Sequence, residues 1–213
     1  MVVGDDWQSI YGFRGADVRP FLDFGRIFSG ASRHYLTSNF RSVPSIVQAG
    51  NRLILQSSRQ MRKKVRSERR ESQKTSVLSL ALGSEQEMLY LVESNPDLRV
   101  LCRSNYRISR WKEAGLDSNC LLTVHASKGL EFSVVFLDLL GGWSGVRDPE
   151  NRDEELRTAY VGLTRARNLF VVLHKTEYPD SQIEKLVWQE WFEPLCKRTD
   201  KRTLGQRIQE LAR

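Results

Sequence analysis

Short apolar blocks alternate with polar ones along the chain, and their spacing predicts strands and helices in turn. A continuous apolar run with β-branched residues predicts a buried strand over residues 133–140, as in the centre of a parallel sheet covered on both faces. Other apolar runs predict strands over residues 1–4, 34–37, 76–82, 99–102, 121–125 and 169–173. Capping residues and helical spacing predict helices over residues 44–56, 84–94, 104–114 and 154–166.

The order of these elements predicts the fold class. Strands and helices alternate from residue 34 onward, which is typical of a three-layer α/β domain with a mostly parallel sheet. Ser42 and Pro44 are expected to begin the first helix as its N-cap and first-turn proline. The last 30 residues are expected to be helical and to dock through Trp188, Trp191 and Phe192.

Composition favours a compact protein that meets a polyanion. The 213 residues are 40% apolar and 28% charged, which excludes a disulfide-stapled miniprotein and argues against wholesale disorder. The net charge is +7, and residues 59–75 carry eight basic and two acidic residues, or +6 of it. We expect this stretch to be a mobile surface loop, because it has no apolar periodicity. Charge alone leaves a nucleic-acid contact and a solvated basic loop equally open.

Cysteine spacing and hydropathy give further expectations. Cys102, Cys120 and Cys196 lie far apart, so neither a zinc site nor a disulfide framework is predicted, and no metal ligand is assigned. No window approaches 18 uninterrupted apolar residues, and the N-terminus lacks the pattern of a signal peptide. We therefore expect a cytoplasmic protein without a membrane partner.

Four polar segments follow predicted strands or precede them, at the edge of a parallel sheet where ligands bind. A guanidinium there can bind a phosphate, and an aromatic ring can stack on a base. Each segment also has a plain structural interpretation, as a turn with aromatic anchors, a surface Phe-Arg pair or a solvated helix. The segments are residues 3–17, 36–42, 123–132 and 155–167.

The third segment is not a phosphate-binding loop of the P-loop type. It contains Ser127, Lys128 and Gly129, whereas a P-loop requires Gly-Lys followed by Ser or Thr. The chain has no Gly-Lys dipeptide at all.

In this order, the segments resemble the later motifs of superfamily 1 DNA helicases of the UvrD-like type. The matching stretches are GDDWQSIYGFRGAD for motif III, LTSNFRS for motif IV, LLTVHASKGLEF for motif V and ELRTAYVGLTRARN for motif VI. The short connection before motif V leaves no room for a large accessory domain, so the chain looks similar to the helicase IV branch. The resemblance implies a RecA-like fold, specifically the second motor domain, which itself lacks a P-loop.

The resemblance implies roles at the nucleotide. Gln8 matches the glutamine that senses the γ-phosphate, and Arg41 and Arg165 match two arginines that reach the γ-phosphate from the second domain. These three are the expected catalytic residues. Phe40 stands where the family has a tyrosine that stacks on adenine, and Glu131 matches a carboxylate that contacts the ribose. Gly129, in the same loop, is assigned to the nucleotide site as well.

The resemblance also implies contacts to single-stranded DNA. Phe13 matches a ring that stacks on a base, and Arg14 an arginine that links the DNA and ATP sites. Thr123 and His125 match positions near the DNA backbone. Lys128 lies in the same loop, but the resemblance gives it no definite role.

The implied protein is one half of a motor. We expect residues 1–32 to be the end of a first RecA-like domain, 33–178 the second RecA-like domain and 179–213 a helical tail. The family's first domain supplies the P-loop and the magnesium-binding motif before motif III, so ATP and Mg²⁺ are expected only with such a domain as partner, in cis or in trans.

The resemblance implies an ATP-dependent 3′-to-5′ DNA helicase or translocase, inactive as this chain alone. A non-enzymatic module that binds nucleic acid or protein, and a decayed fragment, stay open as alternatives.

Overall fold

The computed structural model describes residues 1–71, 75–92, 95–178 and 183–212. Its α-helices are α1 (Arg19–Leu22), α2 (Phe24–Ile27), α3 (Pro44–Ile54), α4 (Leu89–Val92), α5 (Asn105–Glu113), α6 (Pro149–Leu163), α7 (Ile183–Val187) and α8 (Lys201–Ala212). Its strands are β1 (Ser38–Asn39), β2 (Arg66–Ser67), β3 (Val77–Leu82), β4 (Leu98–Cys102), β5 (Leu121–Thr123), β6 (Phe132–Asp138), β7 (Ala166–Lys175) and β8 (Lys197–Arg198). Short 3₁₀ helices cover Asp6–Gln8, Gly12–Arg14, Glu85–Met88, Ser118–Cys120 and Ser144–Arg147, and a π-helix covers Trp188–Phe192.

Six strands form one parallel sheet in the order β5-β4-β6-β7-β3-β8. The centre is the pair β6 and β7, in which Val135 lies opposite Phe170. Every residue of β6 is buried, which confirms the prediction of a central strand covered on both faces. The domain is a RecA-like α/β fold, as predicted.

Alternate residues of the strands supply two separate cores. On the first face, residues such as Val135 and Phe170 pack with α3, α6 and the π-helix. On the second face, residues such as Phe136 and Val171 pack with α5 and α8. Because side chains alternate across a strand, one set of strands fills both layers.

The C-terminal segment docks as predicted. Trp188, Trp191 and Phe192 are buried. The ring of Trp191 meets that of Trp143 edge-on at 6.4 Å, and Phe192 lies 6.2 Å from Phe170. Among the described residues, no helix is long and apolar enough to cross a membrane.

Two predicted strands at the N-terminal end are wrong. Residues 1–4 form no strand, and the side chains of Val2 and Val3 are exposed. Residues 34–37 are likewise irregular, and the strand begins only at Ser38, where β1 pairs with β2. A short apolar run becomes a strand only where another strand satisfies its backbone groups, and the described residues offer none to residues 1–4.

Some helix limits differ from the prediction. Helix α6 begins at Pro149 rather than near residue 154. Ser42 does not cap α3, because its hydroxyl donates to the Ala166 carbonyl at 2.6 Å. The carboxylate of Glu71 instead accepts from the Ser45 amide at 3.0 Å. Residues 84–94 form a 3₁₀ turn followed by the short α4, and the last two of these positions lie outside the described residues.

The prediction of a mobile loop over residues 59–75 is also wrong for its described part. Arg66 and Ser67 form β2, and the side chains of Lys63 before it and Arg69 after it bond to the body of the domain. The stretch from Met61 to Glu71 is called the strap below. Residues 72–74 of the predicted loop lie outside the described residues.

Candidate functional site

Arg165 is the buried centre of the candidate site. It follows α6 and precedes β7, and it is 1% exposed. Its guanidinium donates to the carbonyls of Val161 and Leu130 and to the hydroxyl of Thr164, each at 3.1 Å. Within the described residues, no carboxylate lies within 4.0 Å of it. Burial, followed by the positive charge of Arg41, lowers the pKa of Arg165 to about 10.

Arg41 brings a second guanidinium to the same place. Its Nε donates to Glu131 Oε2 at 2.7 Å, and another of its nitrogens lies 3.4 Å from the Thr164 carbonyl. The side chain is 32% exposed, so Arg41 stands between buried Arg165 and solvent. Glu131 therefore offsets the charge of Arg41, while Arg165 has hydrogen bonds only to neutral groups.

Gln8 approaches Arg165 from residues 5–14, which are called the N-terminal segment below. Its side-chain oxygen accepts from Arg165 at 3.4 Å, and its side-chain nitrogen donates to Asp5 Oδ2 at 2.8 Å. Asp5 also accepts from Lys63 Nζ at 2.6 Å. A chain of contacts thus runs from Lys63 through Asp5 and Gln8 to Arg165. The amide of Gln8 is oriented at both ends.

A cluster of rings lies beside this chain of contacts. Phe13 and His125 meet edge-on with centroids 5.3 Å apart, and Tyr11 lies 5.8 Å from His125. The Arg14 guanidinium is 5.3 Å from the centre of the Phe13 ring. Phe13 is 65% exposed, so one side of its ring is open to a flat ligand.

His125 joins the ring cluster to the N-terminal segment. Its Nε2 lies 3.0 Å from the Ile10 carbonyl, which favours the tautomer with hydrogen on that nitrogen. Burial lowers the pKa of His125, and the charge of Arg103 lowers it further. The imidazole is therefore neutral near pH 7.

Thr123 ends β5, Lys128 and Gly129 lie in the turn that follows it, and Phe40 lies apart. The Thr123 hydroxyl accepts from the Ala126 amide at 3.1 Å, so it organises the turn. Gly129 has φ of +90°, a conformation that other residues rarely adopt. Lys128 donates to the Gln8 carbonyl at 3.0 Å. Phe40 is 76% exposed, and no described ring contacts it.

Three residues that hold the N-terminal segment were not predicted from the sequence. Besides Lys63, buried Arg157 donates from Nε to the Ser9 carbonyl at 2.9 Å, and Glu154 accepts from the Gly12 amide at 3.0 Å. A Cβ on Gly12 would lie 2.0 Å from a Glu154 oxygen, so a larger residue there would displace the Glu154 carboxylate. The available signal was the spacing of Glu154 and Arg157, which places both on one side of α6.

Comparisons with known proteins agree with this arrangement. Residues 112–176 match the model of the UvrD-like helicase C-terminal domain, and residues 1–29 match that of the UvrD/REP helicase N-terminal domain. In these two stretches the chain is similar to UvrD-like helicases. The two matches occur in the order expected if motif III ends one domain and motifs V and VI belong to the next.

The relatives of this chain are helicases by description. It is 29% identical to a probable DNA helicase of Mycoplasma pneumoniae, over 89% of this chain and 42% of that protein. It is 29% identical to DNA helicase IV of Escherichia coli, over 86% of this chain and 31% of the relative. The chain therefore spans less than half the length of these relatives.

A solved structure described as the C-terminal domain of a possible DNA helicase from Lactobacillus plantarum also matches. It has a TM-score of 0.46 and 12% identity, and the match covers 75% of this chain and 98% of that one.

The described part of the chain contains no group of three or more His, Cys, Asp or Glu side chains suited to hold a metal ion. Asp5 and Asp6, the adjacent carboxylates nearest Gln8, are both bonded to Lys63. The described residues around Arg165 are positively charged, which suits an anionic ligand such as a phosphate, and they offer no set of carboxylates for Mg²⁺.

Proposed function

We propose that this chain contributes the second motor domain of an ATP-dependent DNA helicase or translocase that moves 3′ to 5′. In this proposal residues 33–178 are the motor domain, residues 1–32 belong to the first RecA-like domain, and residues 179–213 form a tail. Arg165 and Arg41 contact the γ-phosphate of ATP, and Gln8 senses it. Phe40 stacks on the adenine, while Glu131 and the loop at Gly129 face the ribose.

The observation that carries this proposal is the uncompensated charge of Arg165. A buried guanidinium without a carboxylate is costly, and a second guanidinium beside it adds repulsion. A phosphoryl group would supply the missing negative charge. Catalysis of phosphoryl transfer rests mainly on positioning and on charge stabilisation, which two arginines can provide.

The ring cluster supports contact with single-stranded DNA. Phe13 offers an open face, and stacking on successive bases tolerates any sequence, as a translocating protein requires. Arg14 packs over the Phe13 ring, and His125 meets that ring edge-on. A shift of the stacked base would therefore also displace the N-terminal segment that carries Phe13. Thr123 keeps the adjoining turn in place.

We propose that hydrolysis requires a P-loop domain, in cis or in trans. The 213 residues contain no Gly-Lys dipeptide, so the lysine of such a loop has no counterpart here. That domain would bind Mg²⁺ with ATP, and this chain would add its arginines on closure.

An ATPase assay tests the proposal. The chain is assayed with single-stranded DNA, alone and with a P-loop domain of a UvrD-like relative. We expect turnover only in the mixture, and a loss of about 10³-fold or more in kcat with Arg165→Ala. The exposed Arg110, on the far side of the sheet, gives the control Arg110→Ala, which should retain activity. Turnover by the chain alone, or full activity of Arg165→Ala, would contradict the proposal.

A further inference from the structure

The strap, residues 61–71, alternates between two environments along its whole length. Odd-numbered positions from Met61 to Glu71 are partly buried, and the even-numbered positions between them are exposed. This period of two is that of an extended chain, and β2 lies at its centre. The strap therefore presents one edge to the domain and the other to solvent.

Its inner edge is anchored at successive positions. Lys63 donates to Asp5 and Asp6, and the side-chain amide of Asn51 bonds both to the carbonyl of Val65, at 2.7 Å, and to its amide, at 3.3 Å. Ser67 donates to a carbonyl at 2.7 Å. Arg69 donates to the carbonyl of Arg41, at 2.7 Å, and to the side chain of Asn168, at 2.8 Å.

The outer edge carries a row of cations. Arg62, Lys64, Arg66 and Arg70 are all exposed. Over the described residues, none of these four lies within 4.0 Å of a carboxylate. Exposed cations elsewhere do have such partners, for example Arg19 with Asp17 and Arg198 with Glu193.

The two acids of the strap do not neutralise this row. The carboxylate of Glu71 faces the body of the domain and accepts from the hydroxyl and amide of Ser45. Glu68 lies on the outer edge, where its Oε1 accepts from the Ser38 hydroxyl at 2.7 Å, and its single negative charge offsets only one of the four cations. The positive charges of Arg62, Lys64 and Arg66 thus stand together at one end of the strap.

We infer that the outer edge of the strap binds the phosphodiester backbone of DNA. Alternate residues of an extended chain are about 6.6 Å apart, so the side chains of Arg62, Lys64 and Arg66 form an evenly spaced row. Phosphates along a DNA strand are also evenly spaced, and cations placed along them release counterions without reading sequence. The anchored backbone reduces the ordering that binding would otherwise require.

The inference deepens the proposed function, because it adds a second DNA contact separate from the ring cluster at Phe13. It requires neither ATP nor a P-loop domain. Duplex and single-stranded DNA share the same backbone chemistry, and they differ in how steeply binding depends on salt.

The test measures the salt dependence of binding to fluorescent DNA oligonucleotides, with a 20-base single strand and a 20-base-pair duplex as separate probes. Arg62→Gln, Lys64→Gln and Arg66→Gln are combined in one variant. The control combines Arg110→Gln, Lys112→Gln and Arg202→Gln, which remove the same charge from exposed positions on the far side of the sheet. The thermal unfolding temperature of each variant is measured beside binding.

We expect the strap variant to flatten the slope of log affinity against log salt by about 2 on single strands, or about 3 if the duplex is the ligand. Its affinity at 0.1 M salt should fall about tenfold to 100-fold, and the control should keep the parent slope.

The inference is overturned if both variants change the slope equally, if the strap variant keeps the parent slope, or if the chain binds neither the single strand nor the duplex. Phe13→Ala serves as the separate readout of the ring cluster. A weaker affinity in that variant with no effect of the strap variant would contradict only the strap inference.

Discussion

At the scale of single residues, the molecule is distinguished by charges that its own residues leave uncompensated. Arg165 is buried with hydrogen bonds to neutral oxygens only, although an arginine in a protein interior usually faces a carboxylate. Lys63, in contrast, is held between two carboxylates. The surroundings of Arg165 suit an anion from outside the chain, whereas the ion pairs of Lys63 fix the position of the residues around it.

Lys63 gives the first prediction. Its side chain is 11% exposed and pairs with Asp6, whose side chain is fully buried. Replacing Lys63 by Met leaves that carboxylate buried and unpaired, so the free energy of unfolding should fall by about 3 kcal/mol. Urea denaturation measures this change. Lys64→Met, at the exposed neighbouring position, should change stability by less than about 0.5 kcal/mol, and equal effects of the two substitutions would contradict the assigned role.

The histidines give the second prediction. Burial lowers the pKa of His125 and of His174 below the ordinary value of 6.5. Between the lowered pKa values and 6.5 the unfolded chain binds more protons than the folded chain, so the free energy of unfolding falls as pH drops through this window.

Urea denaturation at pH 7.5 and pH 5.5 measures this loss of stability. His125→Gln and His174→Asn, each chosen to preserve a hydrogen bond to a carbonyl, should reduce it. His34→Gln is the control substitution of an exposed histidine. Stability that stays constant across this range in the parent chain would be the contrary result.

At the scale of elements, the strap is held by side chains rather than by a long strand pairing. Asn51, on α3, takes the place of a neighbouring strand by bonding to both backbone groups of Val65. Asn51→Ala should therefore increase amide hydrogen exchange within residues 61–71, with protection in β6 unchanged. Mass spectrometry of exchanged peptides checks this. Unchanged exchange in the strap would mean that its other anchors suffice.

Most of the sheet could be predicted from the sequence because its strands are apolar on both faces. The run at residues 133–140 could hardly be anything but a central strand. The strap could not be predicted in this way, because its inward residues include Lys63, Ser67 and Arg69. Alternation between two polar environments leaves no trace in a hydropathy pattern. The strand expected at residues 1–4 failed for another reason, since pairing depends on residues distant in sequence.

The candidate site was predictable to a similar extent. Motif resemblance selected Gln8, Arg41 and Arg165, and the fold brings all three to one place. Their proposed roles stay predictions. The supporting contacts of Lys63 and Arg157 could not be foreseen, because each binds a group 50 or more positions away.

At the scale of the whole molecule, the proposed sites share one support. The N-terminal segment carries Gln8 to Arg165 and Phe13 to His125, and Lys63 ties it to the strap. In the proposed motor, occupation of the nucleotide site and of the DNA site would act on the same short segment. That arrangement offers a physical route by which hydrolysis could be linked to movement along DNA.

The most direct test measures how tightly the chain, combined with a P-loop domain of a UvrD-like relative, binds ADP with and without aluminium fluoride, which together mimic the transferred phosphoryl group. Isothermal titration should give at least about 100-fold tighter binding with aluminium fluoride, because transition-state mimics engage charges that the ground state does not. Arg165→Ala should remove this preference while leaving the affinity for ADP alone nearly unchanged. If Arg165→Ala keeps the full preference, Arg165 does not contact the transferred phosphate. That result would contradict the central claim of the proposed function.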